Sequence, residues 1–434
     1  MNGTFKISGG RPLVGEVKPI LNKNSLLGAL PLAVMQCGGI AYKNLPQTTD
    51  VEALLEIYKK WGATIETVGT NFTQIDSTGV KSWAVDTEIG RKLRGAFSFV
   101  GPLLSRFGQA EVPIPGGCKL GSRSVSVHVN AFKSLGVNVE EKQGSLRFSV
   151  PKKTPKTSTV WLLEASVTAT LNIAMYAAGI ESEVEIIDAA SEPHVTDVLK
   201  TLVRMGAKVK GIGTNRIVVK GTKDLKPTEF VASPDFVDVA GFCVASAITD
   251  GNITIKDANQ PDIMDGILKW MELFGVHILR KGKDLVVSGS SLELQLDQFP
   301  LYGKDLPKFV VRPWPGFPVD ILPVMVTLAT KTRGTMLFQN WMYESGFDFV
   351  RELNYLGAEI FISDPQKIIV MEPKVEYHGG EVAAPGIIQG TKAIFLAALA
   401  DPVETIVHGT DILRRRYPNI LETYLNLGAD IERY

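Results

Sequence analysis

Six times along this 434-residue chain a helical run closes in the same way: an apolar residue, Gly, a small apolar residue, any residue, then Ile or Val. The six are Trp61-Gly62-Ala63-Thr64-Ile65, Leu135-Gly136-Val137-Asn138-Val139, Met205-Gly206-Ala207-Lys208-Val209, Phe274-Gly275-Val276-His277-Ile278, Leu356-Gly357-Ala358-Glu359-Ile360 and Leu427-Gly428-Ala429-Asp430-Ile431. Their glycines recur at nearly even intervals from one end of the chain to the other. Each has the chemistry of a helix C-terminus, where Gly takes the left-handed conformation and the chain turns directly into a strand. Amphipathic helices precede them, as in DVEALLEIYKKW before Gly62 and PNILETYLNL before Gly428. Strand pairs follow, such as Thr64 to Val68 with Phe72 to Ile75, and Val209 to Gly211 with Arg216 to Val219. An α/β unit used six times is the result. Solenoid units run roughly 20–50 residues, too short for this spacing, so the units are expected to group as two domains of three.

Length agrees, since 434 residues exceed one ordinary core. The second half opens near Val231-Ala232-Ser233-Pro234-Asp235, and the strand Phe5 to Ile7 precedes the first complete unit. That strand is assigned to the second half, giving one domain over 22–232 and another over 1–21 plus 233–434. Ser25 to Tyr42 carries no charged residue but contains Pro31, Gln36, Gly38 and Gly39, so it reads as a buried helix stopping at Cys37-Gly38-Gly39 rather than a membrane span.

Charge and cysteine content narrow the function. Basic and acidic residues number 46 each, which leaves no global field to attract nucleic acid or an anionic membrane, so any anion site must be local. Three widely spaced cysteines without CxxC spacing argue for reduced thiols, and the N-terminus has no apolar signal-peptide core. The expected location is cytoplasmic.

One local anion site is suggested by Pro113 to His128, PIPGGCKLGSRSVSVH. Gly116, Gly117 and Gly121 let backbone N–H groups close on an anion, while Cys118 lies near Arg123, which would favour its thiolate. A small apolar filler in a Gly-rich turn is the alternative for Cys118. Isolated cations fall at other apolar helix starts: Lys23 beside Asn24, Arg94 in LRGAFSFVGPLL, and the run Arg414, Arg415, Arg416. Helix N-termini attract anions, although each cation alone also fits a solvated surface. Asp320 ends PWPGFPVD, placed either to cap the next helix or to take a proton from a hydroxyl.

Taken together, FKISGGRPLVGEV, NKNSLLGALPL, GPLLSRFGQ, PGGCKLGSR, SEPHVTDVLKTLVRMGAKV, GFPVDILPVM and LGADIER resemble the enolpyruvyl transferases, in particular the branch acting on UDP-N-acetylglucosamine. PGGCxxGxR is the most specific of these motifs. The resemblance implies a two-domain inverted α/β barrel with three pseudo-repeats per domain, closing around substrates where the chain crosses. It implies phosphoenolpyruvate and UDP-N-acetylglucosamine as substrates, with no metal or organic cofactor, no nucleic acid and no membrane partner. Lys23, Arg123 and Arg415 would hold phosphoenolpyruvate, with Arg94 near the phosphates. Asn24 and Asp320 would contact the sugar, Asp320 as base, and Met342 would lie in the substrate site. Cys118 would protonate the methylene carbon or assist product release, and Lys23 would share in catalysis. Ser124, Val125, Ser126, Val127 and His128, with Ser166, Val167 and Thr168, would line the nucleotide pocket, largely through backbone.

Several positions depart from the family pattern. Arginines of the family's ENRF and DLRAS segments are matched by Gly346 and Gln389, a basic residue by Glu164, and a His by Ile412. Three readings follow: a working transferase in which Arg414 or Arg416 supplies the missing charge, a relative with another acceptor, or a sugar-nucleotide binding protein without catalysis.

Overall fold

The computed structural model describes residues 3–36, 38–69, 71–115, 124–299 and 306–434. Cys118 and Arg123, with Gly116, Gly117, Gly121 and Cys37, lie outside the described residues. The chain divides into two compact units, a first made of residues 21–115 and 124–233 and a second made of residues 3–20 and 234–434.

All six signature glycines have positive φ: 84° at Gly62, 80° at Gly136, 114° at Gly206, 82° at Gly275, 113° at Gly357 and 94° at Gly428. The helices they follow are Thr49–Lys60, Ser126–Ser134, Pro193–Met205, Pro261–Glu272, Val350–Tyr355 and Ile420–Asn426. The repeat predicted from spacing is therefore a repeat of backbone conformation. Its glycines differ in what surrounds them. A Cβ on Gly62 meets only the Gly79 carbonyl oxygen at 3.7 Å, whereas one on Gly275 collides with the Ser291 carbonyl oxygen. Gly62→Ala is expected to destabilise by about 1–2 kcal/mol from backbone strain. Gly275→Ala should cost a further 1–3 kcal/mol or so from overpacking. Urea unfolding of the two variants measures the difference.

Each repeat builds one sheet on a common plan. In the first unit Thr228–Phe230 runs parallel to Ile40–Lys43, which pairs antiparallel with Phe72–Asp76, itself paired with Thr64–Val68. Thr157–Trp161, Glu183–Ile187, Arg216–Lys220 and Lys208–Lys210 repeat that order. Gln109–Pro113, Ser145–Ser149 and Asn138–Lys142 form the third, three-stranded sheet, with a parallel bridge from Ala84 to Glu111 in place of a fourth strand. The second unit contributes Val14–Val17, Asn252–Ile255, Asp284–Ser288 and Ile278–Lys281, then Lys308–Val310, Met336–Gln339, Lys367–Val370 and Ile360–Asp364. Its last sheet runs Gly380–Ala383, Glu404–His408, Thr4–Ser8 and Asp430–Arg433. The N-terminal strand thus occupies the place that an internal hairpin strand fills elsewhere. The six sheets are separate and, among the described residues, none closes on itself. A barrel in the sense of a closed sheet is absent among them because each sheet stops at three or four strands.

Cores form between helices that are buried along most of their length. In the second unit Phe236–Ile248 is buried at all its positions, as is Leu322–Ala329, and these pack against Ile388–Ala400. In the first unit Val100–Phe107 and Val167–Ala178 pack together with the segment after Lys23. The buried helix expected to stop at Cys37-Gly38-Gly39 is two pieces. Lys23–Ala29 is α-helical and Leu30–Met35 is 3₁₀, but Ile40–Lys43 is a strand. Its apolar character comes from lying at the centre of a sheet, and Gly38 and Gly39, at φ 87° and 70°, turn the chain into it. No helix among the described residues is long and apolar enough to cross a membrane.

Candidate active site

The first unit positions Lys23, Arg94 and the two segments expected around a nucleotide. Asn22 caps Lys23–Ala29, its side chain accepting from the Ser25 N–H at 3.1 Å. Lys23 is therefore in the first turn rather than ahead of the helix. It is 7% exposed, and its Nζ lies 2.5 Å from Asp50 Oδ2. A buried ammonium requires such a partner. Asn24 beside it is half-buried.

Arg94 opens the 3₁₀ turn Arg94–Phe99 and donates from Nη2 to the Ser124 carbonyl at 3.2 Å. Ser124 Oγ in turn accepts from the Ser126 N–H at the start of Ser126–Ser134, with Val125 as N-cap. Ser166 caps Val167–Ala178, accepting from the Ala169 N–H at 3.4 Å. Thr168 of that helix meets His128 at 3.0 Å, between Oγ1 and Nε2. The structure thus brings together Arg94, Ser124 to His128, and Ser166 to Thr168. Ser124 and Ser126 are exposed, while Val125, Val127, Ser166, Val167 and Thr168 are half-buried.

His128 joins this group from the core side. Its side chain is buried, and Asn172 Nδ2 lies 3.1 Å from its Nδ1. Asn172 donates, so Nδ1 accepts and the proton resides on Nε2, which donates to Thr168. Asn172 also accepts from the Gly101 N–H and donates to the Phe97 carbonyl, so one amide holds three segments. Burial, reinforced by the Arg94 charge, pushes the His128 pKa down to about 3. The unfolded imidazole binds a proton below its ordinary value of about 6.5 while the folded one resists it. This contribution to stability is fully present above pH 6.5 or so and diminishes as pH falls toward about 3. Between those limits the wild-type unfolding free energy should lose up to about 1.4 kcal/mol more per pH unit than that of His128→Asn. Urea titrations at several pH values measure the difference in slope.

The second unit positions Asp320. This residue lies in the 3₁₀ turn Val319–Ile321, ahead of Leu322–Ala329, and makes no cap hydrogen bond. The capping alternative is therefore not realised. Asp320 instead borders a solvent-open cleft with about 340 Å³ of empty space, together with Asn340, Tyr343, Ser345, Gly346, Gln389 and apolar Pro323, Phe349, Pro385 and Ile387. Both departures from the family arginines line this cleft. At Gly346 a Cβ would collide with Asn340 Nδ2, and Asn340 Oδ1 is engaged by the N–H groups of Met342 and Tyr343. The loop is packed around glycine and has no room for a larger residue in this conformation. Met342 itself packs on the hydrophobic core.

Behind Asp320 is a buried charge cluster that sequence reading does not find. Arg416 donates from Nε and Nη2 to Asp235 at 3.0 and 2.9 Å, and its Nη1 lies 3.6 Å from Asp320 Oδ2. Burial alone would lower the guanidinium pKa, but Asp235 and Asp320 outweigh it and raise it. Asp235 also caps Phe236–Ile248. Deeper, Lys392 donates to Tyr424 Oη at 2.9 Å and lies 4.4 to 5.6 Å from the rings of Tyr424, Tyr417, Phe395 and Phe242. Burial lowers its pKa and raises that of Asp238, each partly offset by the other's charge. Of the three consecutive arginines, Arg414 and Arg415 are exposed and Arg416 is buried. Its charge is committed to carboxylates, which leaves it unsuited to supply what Gly346 and Gln389 lack. Glu164 is exposed and Ile412 half-buried. No local pattern in the sequence sets Arg416 apart from its two neighbours.

Comparison with known proteins agrees with this architecture. A family model described as EPSP synthase (3-phosphoshikimate 1-carboxyvinyltransferase) matches residues 7–424. UDP-N-acetylglucosamine 1-carboxyvinyltransferase of Treponema denticola is 33% identical over 429 residues, covering 99% of this chain and 98% of the relative. The protein of the same description from Bradyrhizobium diazoefficiens is 32% identical over 430 residues, covering 99% and 97%. Among solved structures, the enolpyruvyl transferase NikO from Streptomyces tendae superposes with a TM-score of 0.85 at 20% identity, covering 99% and 98%. EPSP synthase from Acinetobacter baumannii gives 0.74 at 18% identity, covering 99% of each chain. These two structures establish the enolpyruvyl transferase fold. With a family model matched over nearly its whole length and relatives 33% and 32% identical from end to end, the chain belongs to the EPSP synthase (3-phosphoshikimate 1-carboxyvinyltransferase) family of carboxyvinyl transferases.

Proposed function

We propose that this chain transfers the enolpyruvyl group of phosphoenolpyruvate to the 3-hydroxyl of UDP-N-acetylglucosamine and releases phosphate. The observation that carries this reading is the 33% identity, over 99% of the chain, to a relative named UDP-N-acetylglucosamine 1-carboxyvinyltransferase. On this reading residues 22–232 and residues 1–21 with 233–434 are the two domains. The reaction is the first committed step of peptidoglycan synthesis, which assigns the protein to cell-wall biogenesis, cell shape and division in the cytoplasm.

In the first step the sugar O3 bonds to C2 of phosphoenolpyruvate. Asp320 takes the hydroxyl proton, and Cys118 delivers a proton to the methylene carbon. In the second step that carbon gives up a proton, the C2–O bond to phosphate breaks, and the vinyl group is restored. Lys23, Arg123 and Arg415 hold the anionic donor, with Arg94 adding positive charge near phosphates, because fixed cations stabilise charge without reorganising. Asn24 and Met342 contact the acceptor. Support for the nucleotide assignment of Ser124 to His128 and Ser166 to Thr168 is their convergence on Arg94 and on the His128–Thr168 bond.

The test is phosphate release from protein, phosphoenolpyruvate and UDP-N-acetylglucosamine, with Cys118→Ala and Arg123→Ala as inactive controls. Release only when both substrates are present supports the reading. Nucleotide-sugar binding without release would favour a binding protein instead.

A further inference from the structure

Asp320 borders the cleft with its side chain 19% exposed, and the orientation of its carboxylate is set from behind. Arg416 has 2% of its side chain exposed and Asp235 none. Two of the three guanidinium nitrogens grip Asp235. Asp235 is itself anchored, accepting from the Val237 N–H at 2.9 Å as it caps a buried helix. With two nitrogens fixed on an anchored carboxylate, a planar guanidinium has one direction left for Nη1, and that nitrogen faces Asp320 Oδ2 at 3.6 Å.

We propose that Arg416 is a positioning residue for Asp320: buried and bidentate on Asp235, it holds the Asp320 carboxylate aimed into the cleft. The proposal rests on the reading of Asp320 as the base that accepts the 3-hydroxyl proton. It differs from a substrate-binding role, since Arg416 is shut off from solvent and its charge is shared between two carboxylates.

A double-mutant cycle on the full-length protein tests it. Arg416→Met should lower kcat roughly 10- to 100-fold through misplacement of the base, with KM for both substrates within about threefold of wild type. In an Asp320→Asn background the same substitution should change kcat by less than about threefold, because the partner it acts on is gone. Arg416→Lys should stay close to the Met variant, since an ammonium cannot grip Asp235 with two nitrogens and face Asp320 with a third. Thermal melts should fall alike in both backgrounds. If Arg416→Met does not fold, Arg416→Gln, whose amide can still donate to Asp235, carries the same comparison. Equal kcat losses with and without Asp320, or an unchanged kcat per folded molecule, would overturn the proposal. Failure of the wild-type protein to release phosphate would instead remove the functional reading beneath it.

Discussion

Asp320→Asn is expected to lower kcat for phosphate release by roughly 10²–10⁴-fold, the usual weight of a general base. The substitution keeps the shape of the side chain and its place beside the cleft while removing its capacity to accept a proton. Stability should change little, because the ion pair to Arg416 spans 3.6 Å and the guanidinium retains both bonds to Asp235. KM for phosphoenolpyruvate should change much less than kcat. Steady-state kinetics beside a thermal melt separate these outcomes. A variant with wild-type kcat would remove Asp320 from the chemistry, and one that melts far below wild type would make its role structural.

Lys23→Met should damage both stability and activity. The side chains of Lys23 and Asp50 are 8% and 9% exposed, and the ammonium lies 2.5 Å from the carboxylate. Removing one member of a buried pair costs about 3–5 kcal/mol, most of it from the charge left behind. Lys23→Met/Asp50→Asn should recover much of that loss, since an amide costs far less to bury than a carboxylate. Activity should not return with it. If Lys23 holds the donor anion, the double variant folds yet still shows a strongly raised KM for phosphoenolpyruvate. Urea unfolding together with kinetics distinguishes the two losses; full activity in the stabilised double variant would make Lys23 a structural residue alone.

The repeat is legible in the sequence because its glycines answer a local backbone demand. Gly62, Gly136, Gly206, Gly275, Gly357 and Gly428 all take the left-handed conformation that the spacing implies. Hairpins such as Thr64–Val68 with Phe72–Asp76 are legible for the same reason, as their pairing depends on neighbours in sequence. Long-range events are not. Nothing local distinguishes Arg416 from Arg414 and Arg415, and its partner Asp235 is far away in the chain. Burial of the His128 side chain has a local signal, since Ala131, Phe132 and Leu135 share its face and are buried with it. That stripe, followed to its start, leads to an imidazole entering a core. The helix before Gly38-Gly39 reads as one element because α and 3₁₀ turns share the same uninterrupted apolar run, whereas its end is marked by the two glycines.

Family membership fixes a fold and a class of transfer, and the central claim concerns which bond is made. Mass and NMR analysis of the nucleotide product formed from phosphoenolpyruvate and UDP-N-acetylglucosamine addresses it most directly. The expected result is a carboxyvinyl ether on the sugar's 3-oxygen, formed in equal amount to the phosphate released and absent when a 3-deoxy acceptor is supplied. Phosphate release with the nucleotide sugar recovered unchanged, or equal turnover with the 3-deoxy acceptor, would contradict it.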